Sequence, residues 1–395
     1  MRARPLSNRL AELAEGYRSV TDMIDGRVLA PTAPGWCERR NLTAFLLSLD
    51  DEALLYAETR GLCFALPQLP SPPAELTALC LWVQRELSAW TPLARSERAL
   101  DTRHVGERKR VQVATFVEHA LRSVPRPARI VDVGAGLGHL TRALASAMEV
   151  EAIGVEVEDA RCRRATALAA GQIQFNSQDA NTAIVIGPGD FAVGLHACGD
   201  LGDVLLRQAT HVRAHVMLVS CCMQKVRAGS RGALSQAGLG AGLSFSKLAL
   251  GLSNLSNWDQ IDKMEQIHLG RRTRHALRQL LRARGQRVAL GEETHGVHRR
   301  KFRRGLVTAA TLACAHRKLA PPTATEIAHF ERLGAEEYAV MRRLELPRSM
   351  LGRLVECVVV LDRAAYLEEA DYAVEVGVLV PRGITPRNLA IIARA

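Results

Sequence analysis

The chain has 395 residues, 48% hydrophobic and 24% charged, an ordinary globular balance with room for two domains or one large decorated one. It holds no run of about 18 apolar residues, which excludes a membrane-spanning helix of the usual kind. No apolar stretch follows the basic start MRARPLSNRLAELAEGY, so a cytoplasmic location is expected.

The formal charge of +11 is unevenly placed. Residues 268–304 carry 11 Arg and 1 Lys against 2 Glu, whereas residues 1–104 carry 12 Arg against 13 acids. Such a segment suits RNA or another polyanion, or else forms a solvated face. Nine cysteines, none in C-x-x-C spacing, fit a reduced compartment.

In chain order, residues 1–104 read as a mostly helical region. Apolar residues recur at helical spacing in RLAELAEGYRSVTDMI, NLTAFLLSLDDEALLYA and AELTALCLWVQRELSAW, with Trp82 and Trp90 as packing residues. From about 105 helices alternate with the strand-like runs ARIVDVG, AIGVEVE, IQFNSQD, FAVGLHA and HVMLVSCC. That alternation predicts an α/β fold, a mostly parallel Rossmann-like sheet covered on both faces. Residues 223–350 read as a helical insertion. It begins with the loop-like GSRGALSQAGLGAGLS and contains an Arg-rich helix over 269–284, with Arg271, Arg274, Arg278 and Arg282 as a solvent-facing stripe. The runs LVECVVVLDRAAYL and NLAIIARA then predict strands near 356–361 and 388–393, closing a domain over 105–395.

The densest local signal is Asp132-Val-Gly134-Ala-Gly136-Leu-Gly138 at the end of the first strand. Glycines at alternate positions let backbone approach a ligand there. The third glycine comes one residue too early for the dinucleotide pattern G-x-G-x-x-G, which favours S-adenosylmethionine. Glu156, ending the second strand about 20 residues on, is placed to accept ribose hydroxyls. Asp179 ends the third strand and is assigned to the adenine amino group, with Ala180 against the base.

Three further segments, Leu195-His196-x-Cys198-Gly199-Asp200-Leu201, Cys221-Cys222 and the Asp132 loop, resemble those of a class I methyltransferase family. Its members are the methyltransferase-like proteins of the twenty-five type and their bacterial relatives. Glu356, Leu361-Asp362-Arg363, Tyr366-Leu367 and Thr385-Pro386-Arg387-Asn388 are similar to its C-terminal signature, and Arg108-Lys109-Arg110 to its basic pair. Met223 stands where the family often has an aromatic residue. A more distant resemblance is to the eukaryotic family that 2′-O-methylates tRNA acceptor stems, whose zinc fingers are absent here.

The resemblance implies methyl transfer from S-adenosylmethionine, with a macromolecule, RNA ahead of protein, as acceptor. A small-molecule methyltransferase and a non-catalytic RNA-binding module are the alternatives. His196, Cys198, Asp200, Cys221 and Cys222 are the candidate catalytic residues, because loops after adjacent strands converge on one crevice. His196 is either the proton acceptor or a hydrogen-bonded loop residue. The cysteines are expected to pack beneath the loop rather than to bind a metal or act as nucleophiles, and no metal is assigned.

Overall fold

The computed structural model describes residues 4–93, 106–182, 184–255 and 261–395. The chain divides into two compact units. One comprises Met1–Asp25, Trp82–Ser256 and Leu351–Ala395, the other Gly26–Leu81 and Asn257–Met350. The helical N-terminal region is thus shared between two units rather than forming one block.

The first unit is built on a seven-stranded sheet. Strands β1 (Ile130–Val133), β2 (Ala152–Glu156), β3 (Gln174–Ser177), β4 (Phe191–Leu195) and β5 (His215–Val219) are parallel. A two-stranded antiparallel hairpin, β6 (Ser230–Gly232) and β7 (Ser244–Ser246), lies apart from the sheet. Strands β8 (Ala373–Val378) and β9 (Leu389–Arg394) complete the order β3-β2-β1-β4-β5-β9-β8, with β9 antiparallel to β5. The order reverses between β1 and β4, where open α/β sheets bind their ligands.

IVDV and FAVGL are buried at every position, as strands with helices on both faces must be. On one face the Glu107–Ser123 and His139–Met148 helices pack Val113, Phe116, Val117, Leu140 and Leu144 against Ile130, Phe191, Val193 and Met217. The Asp200–Val212 helix packs against β4 and β5. Trp82 fills the space beside Gly16, and Trp90 is buried under the Arg9 guanidinium, so both serve packing.

Three sequence expectations need correction. Residues 356–361 are not a strand: they lie within one 46-residue helix, Ala324–Glu369. Residues 354–365 of that helix are buried throughout, so its sequence shows no amphipathic period and its Val-Val-Val run mimics a core strand. The second closing strand is instead β8, whose exposed edge residues Ala373 and Glu375 weaken the apolar pattern. The Gly- and Ser-rich stretch is no plain loop, since it contains β6, β7 and the short Gln236–Gly240 helix.

The third correction concerns the second unit. Leu277, Leu280 and Leu281 of the Ile261–Ala283 helix pack with Phe302, Leu306, Ala310, Cys314 and Phe330. Arg278 does not join a solvent-facing stripe; it is buried and pairs with the buried Glu293 at 3.1 Å. Arg282 is exposed but donates back to the Val288 carbonyl, and Arg274 is half-buried. Arg284 pairs with Glu326 at 2.6 Å. Arg272, Arg287, Arg299, Arg300, Arg303 and Arg304 are exposed, the last four close together in the chain.

Within the first unit, the last turns of the long helix carry a buried charge network. Asp362, fully buried, accepts from the Leu234 and Ser235 amides and the Ser235 hydroxyl, and pairs with Arg231 at 2.8 Å. Asp203 takes both Arg231 and Arg363. Burial alone would raise the Asp203 carboxyl; the two guanidiniums outweigh it and hold it at about 2. Breaking such a network strands a buried charge. Asp362→Ala should destabilise the protein by about 3–5 kcal/mol in urea unfolding, and a change below about 1 kcal/mol would contradict the network's role.

Candidate functional site

The loop after β1 turns through three left-handed glycines, Gly134, Gly136 and Gly138, at φ of 79°, 60° and 68°. The first two leave room for a ligand: no heavy atom lies within 4 Å of a Cβ placed on Gly136, and only Leu201 comes near Gly134. Gly138 differs. A Cβ there would stand 2.3 Å from the Phe175 ring, so this glycine serves packing between the loop and β3.

Asp132 is buried and accepts from the Thr141 hydroxyl at 2.6 Å, which ties β1 to the helix behind the loop. Glu156 is buried at the end of β2 and fixed by two amides, Gly136 N–H at 2.9 Å and Glu158 N–H at 3.0 Å. A carboxylate keeps further lone pairs, so it can hold the loop and still accept from a ligand. Asp179 accepts from the amide and side chain of Asn181 and pairs with Arg227, and Ala180 is buried beside it. An open glycine cradle beside a buried, oriented carboxylate suits the sugar and backbone parts of an adenosyl cofactor. Gly134, Gly136, Glu156, Asp179 and Ala180 would hold it.

The loops after β4 and β5 meet as the sequence predicts. The backbone of His196 prolongs the β4–β5 pairing through a 2.8 Å bond to Val219, yet its φ of 79° is unusual for a residue with a side chain. Gly199 lies so close to the second loop that a Cβ would sit 1.7 Å from the Lys225 carbonyl. Only glycine permits this crossing. Asp200 closes it, accepting from the Arg227 amide at 2.6 Å, which ties the two loops together. Cys198, Cys221 and Cys222 come together beneath His196, with Cys198 and Cys221 both directed at the His196 carbonyl.

His196 lines a cavity of about 410 Å³ with Gly106, Glu107, Arg108, Lys109 and Gln112. Its Nε2 faces the Gln112 amide oxygen at 2.9 Å; with Nε2 as the donor of that bond, the lone pair falls on Nδ1. That Nδ1 is buried without a protein partner. Burial, then Lys109 and Arg108, push the imidazolium down to about 4, so the ring is neutral near pH 7. Gln112 was not legible in the sequence as a site residue. Its signal is its spacing: it follows Arg108 by four residues, on the same helical face. Arg227 and Phe175 carried no signal at all.

Burial raises the Asp132 carboxyl from 3.8 to about 6, a change that the Thr141 bond and Lys109 only partly offset. A raised acid binds its proton more tightly in the folded state. Its contribution is full below pH 3.8 and is lost as pH rises through 6. Asp132→Asn keeps an acceptor for Thr141 without the charge. It should be more stable than the parent at pH 8, by up to about 3 kcal/mol, with the gain vanishing near pH 4. Parallel stability–pH curves from urea titrations would contradict this.

Residues 108–229 match a family model described as a methyltransferase domain. No curated protein matches the chain. Among solved structures, the YcgJ protein of Bacillus subtilis is 20% identical over 28% of this chain and 50% of its own, with a TM-score of 0.24. CalS10, an amino pentose methyltransferase from Micromonospora echinaspora with S-adenosylmethionine bound, is 17% identical over 32% of this chain and 59% of its own, at 0.26. Phosphoethanolamine N-methyltransferase 1 of Haemonchus contortus is 20% identical over 28% and 26%, at 0.23. The chain spans about half the length of the first of these structures, and overlaps this slight decide nothing about substrate. The family match falls on β1 to β5 with the glycine loop and both cysteine loops, so it is this part of the chain, residues 108–229, that is similar to a methyltransferase domain.

Proposed function

We propose that the protein methylates an N–H or O–H group of an RNA acceptor, with His196 as proton acceptor. The observation that carries this reading is the neutral His196 ring on the wall of a cavity that also presents Arg108 and Lys109. When bound, S-adenosylmethionine supplies an already activated methyl group. The protein's part is to hold, orient and take up a proton. Glu156 and the glycine cradle hold the donor. Gln112 fixes the His196 tautomer, and Arg108 and Lys109 favour an anionic acceptor. The exposed Arg299, Arg300, Arg303 and Arg304 of the second unit supply an RNA-binding surface, since guanidinium pairs with phosphate through two parallel hydrogen bonds.

Calorimetry should show S-adenosylmethionine binding at micromolar strength, about −8 kcal/mol, with no binding of nicotinamide dinucleotides. Glu156→Gln should weaken it roughly tenfold, about 1.4 kcal/mol. His196→Gln should leave donor affinity in place and lower the turnover number by about 100-fold or more. Equal turnover would remove His196 as the base.

The acceptor is tested with labelled donor in lysate from a strain lacking the protein. Label in RNA is the expected result; label confined to protein or small molecules overturns the RNA acceptor. Reversing Arg299, Arg300, Arg303 and Arg304 to Glu should weaken RNA binding and flatten its salt dependence, leaving donor affinity intact. Unchanged RNA binding would clear this surface of the role.

A further inference from the structure

Cys198 follows β4, while Cys221 and Cys222 follow β5. Their three sulfurs lie within 4.8 Å of one another, and among the described residues no other three His, Cys, Asp or Glu side chains meet in this way. The Cys198 and Cys221 sulfurs stand 2.7 Å apart, too far for a disulfide of about 2.05 Å. All three cysteines are half-buried, unlike the buried Cys37, Cys80, Cys162, Cys314 and Cys357.

The geometry points to a zinc site made by Cys198, Cys221 and Cys222, with a fourth position left for water or a heteroatom of a small ligand. Thiolates are soft ligands that favour zinc over the hard cations. Tetrahedral zinc with bonds of about 2.3 Å spaces its thiolate sulfurs roughly 3.8 Å apart. The observed sulfurs stand 2.7 Å apart for Cys198 and Cys221 and no more than 4.8 Å apart for any pair. Adjacent cysteines alone make a poor tetrahedral pair, and the sequence therefore argued against a metal. The fold supplies the distance that the sequence could not show, bringing the Cys198 sulfur of the other loop within 4.8 Å of both.

The surroundings are built for such a site. Arg363 donates to the Gly199 carbonyl at 2.9 Å and the Ser220 hydroxyl at 2.6 Å, gripping the residues next to Cys198 and Cys221. Both ligand loops are thus held before any metal arrives. Three thiolates around Zn²⁺ leave one net negative charge. Lys225 and Arg387 lie near Cys222, and Arg387 also faces Glu356 at 3.8 Å, so cationic side chains stand close to that charge. Uptake from the neutral thiols forms three Zn–S bonds and releases three protons to solvent, with no change in oxidation state. Three protein ligands and an open position make the form of a reactive zinc centre rather than a closed structural one. The assignment concerns metal binding alone and does not depend on the identity of the methyl acceptor.

The test uses the full chain purified with a thiol reductant. Elemental analysis should find about one zinc per chain. After chelator stripping, Zn²⁺ alone should rebind in competition with a chromophoric chelator, and Co²⁺ alone should give a thiolate-to-cobalt absorption band. Cys198→Ser, Cys221→Ser and Cys222→Ser should each lose more than the about 100-fold in affinity that removal of a supporting hydrogen bond can cost. Cys314→Ala should bind as the parent does. Circular dichroism and donor binding establish that each variant is folded. If the serine variants fail to fold, Cys222→His, which retains a zinc ligand, should bind where Cys222→Ala does not. The proposal is overturned if the reduced parent binds zinc no more tightly than its folded cysteine variants. It is equally overturned if the cobalt band is missing, or if peptide mapping finds Cys198 and Cys221 joined in a disulfide although zinc was supplied.

Discussion

The site depends on one buried cation. Arg363 is 1% exposed, and its guanidinium reaches Asp203, the Ser220 hydroxyl and the Gly199 carbonyl. An Arg cannot shed its proton in a protein, so this charge must be answered wherever it is buried. Asp203 answers it, Arg231 answers Asp203 in turn, and Asp362 closes the chain of alternating charges. Two Asp and two Arg cancel, while their remaining hydrogen bonds go to loop backbone and to the Ser220 and Ser235 hydroxyls. The network contributes less by net attraction than by allowing one arrangement of the loops.

With those loops fixed, strain becomes affordable where it is useful. His196 keeps a left-handed backbone because its amide is bound to Val219 and its ring to Gln112. Gly199 can pass against the Lys225 carbonyl only because it has no side chain. Unusual backbone of this kind gathers at functional sites when the surroundings over-determine it. A neutral imidazole and three clustered cysteines on neighbouring loops accompany these two contacts.

The second unit shows how formal charge and surface charge diverge. The segment 268–304 carries a large Arg excess, yet Arg278 is consumed by Glu293 and Arg284 by Glu326. Arg342 and His268 likewise share Glu58. Among the described residues of this segment the exposed arginines are Arg272, Arg282 and Arg287 and the cluster Arg299, Arg300, Arg303 and Arg304, the last placed by the burial of Phe302. No helix among the described residues is long and apolar enough to cross a membrane.

The sequence by itself determined the parallel half of the sheet. Apolar runs such as IVDV and FAVGL, each followed by a helix, admit few other folds, and the glycines after Asp132 mark where backbone must stay bare. It also placed His196 and the cysteines on neighbouring loops, because loops after adjacent parallel strands share one edge. The tertiary structure alone decided the rest. A helix buried on all sides has no periodic pattern, so residues 356–361 read as strand although they are helix. Ion pairing joins residues far apart in the chain, so neither the Arg363 network nor the capture of Arg278 could be read from local composition. Gln112 reached the site with only its spacing from Arg108 to mark it, and Arg227 with no mark at all, since proximity across a fold is not written in local sequence.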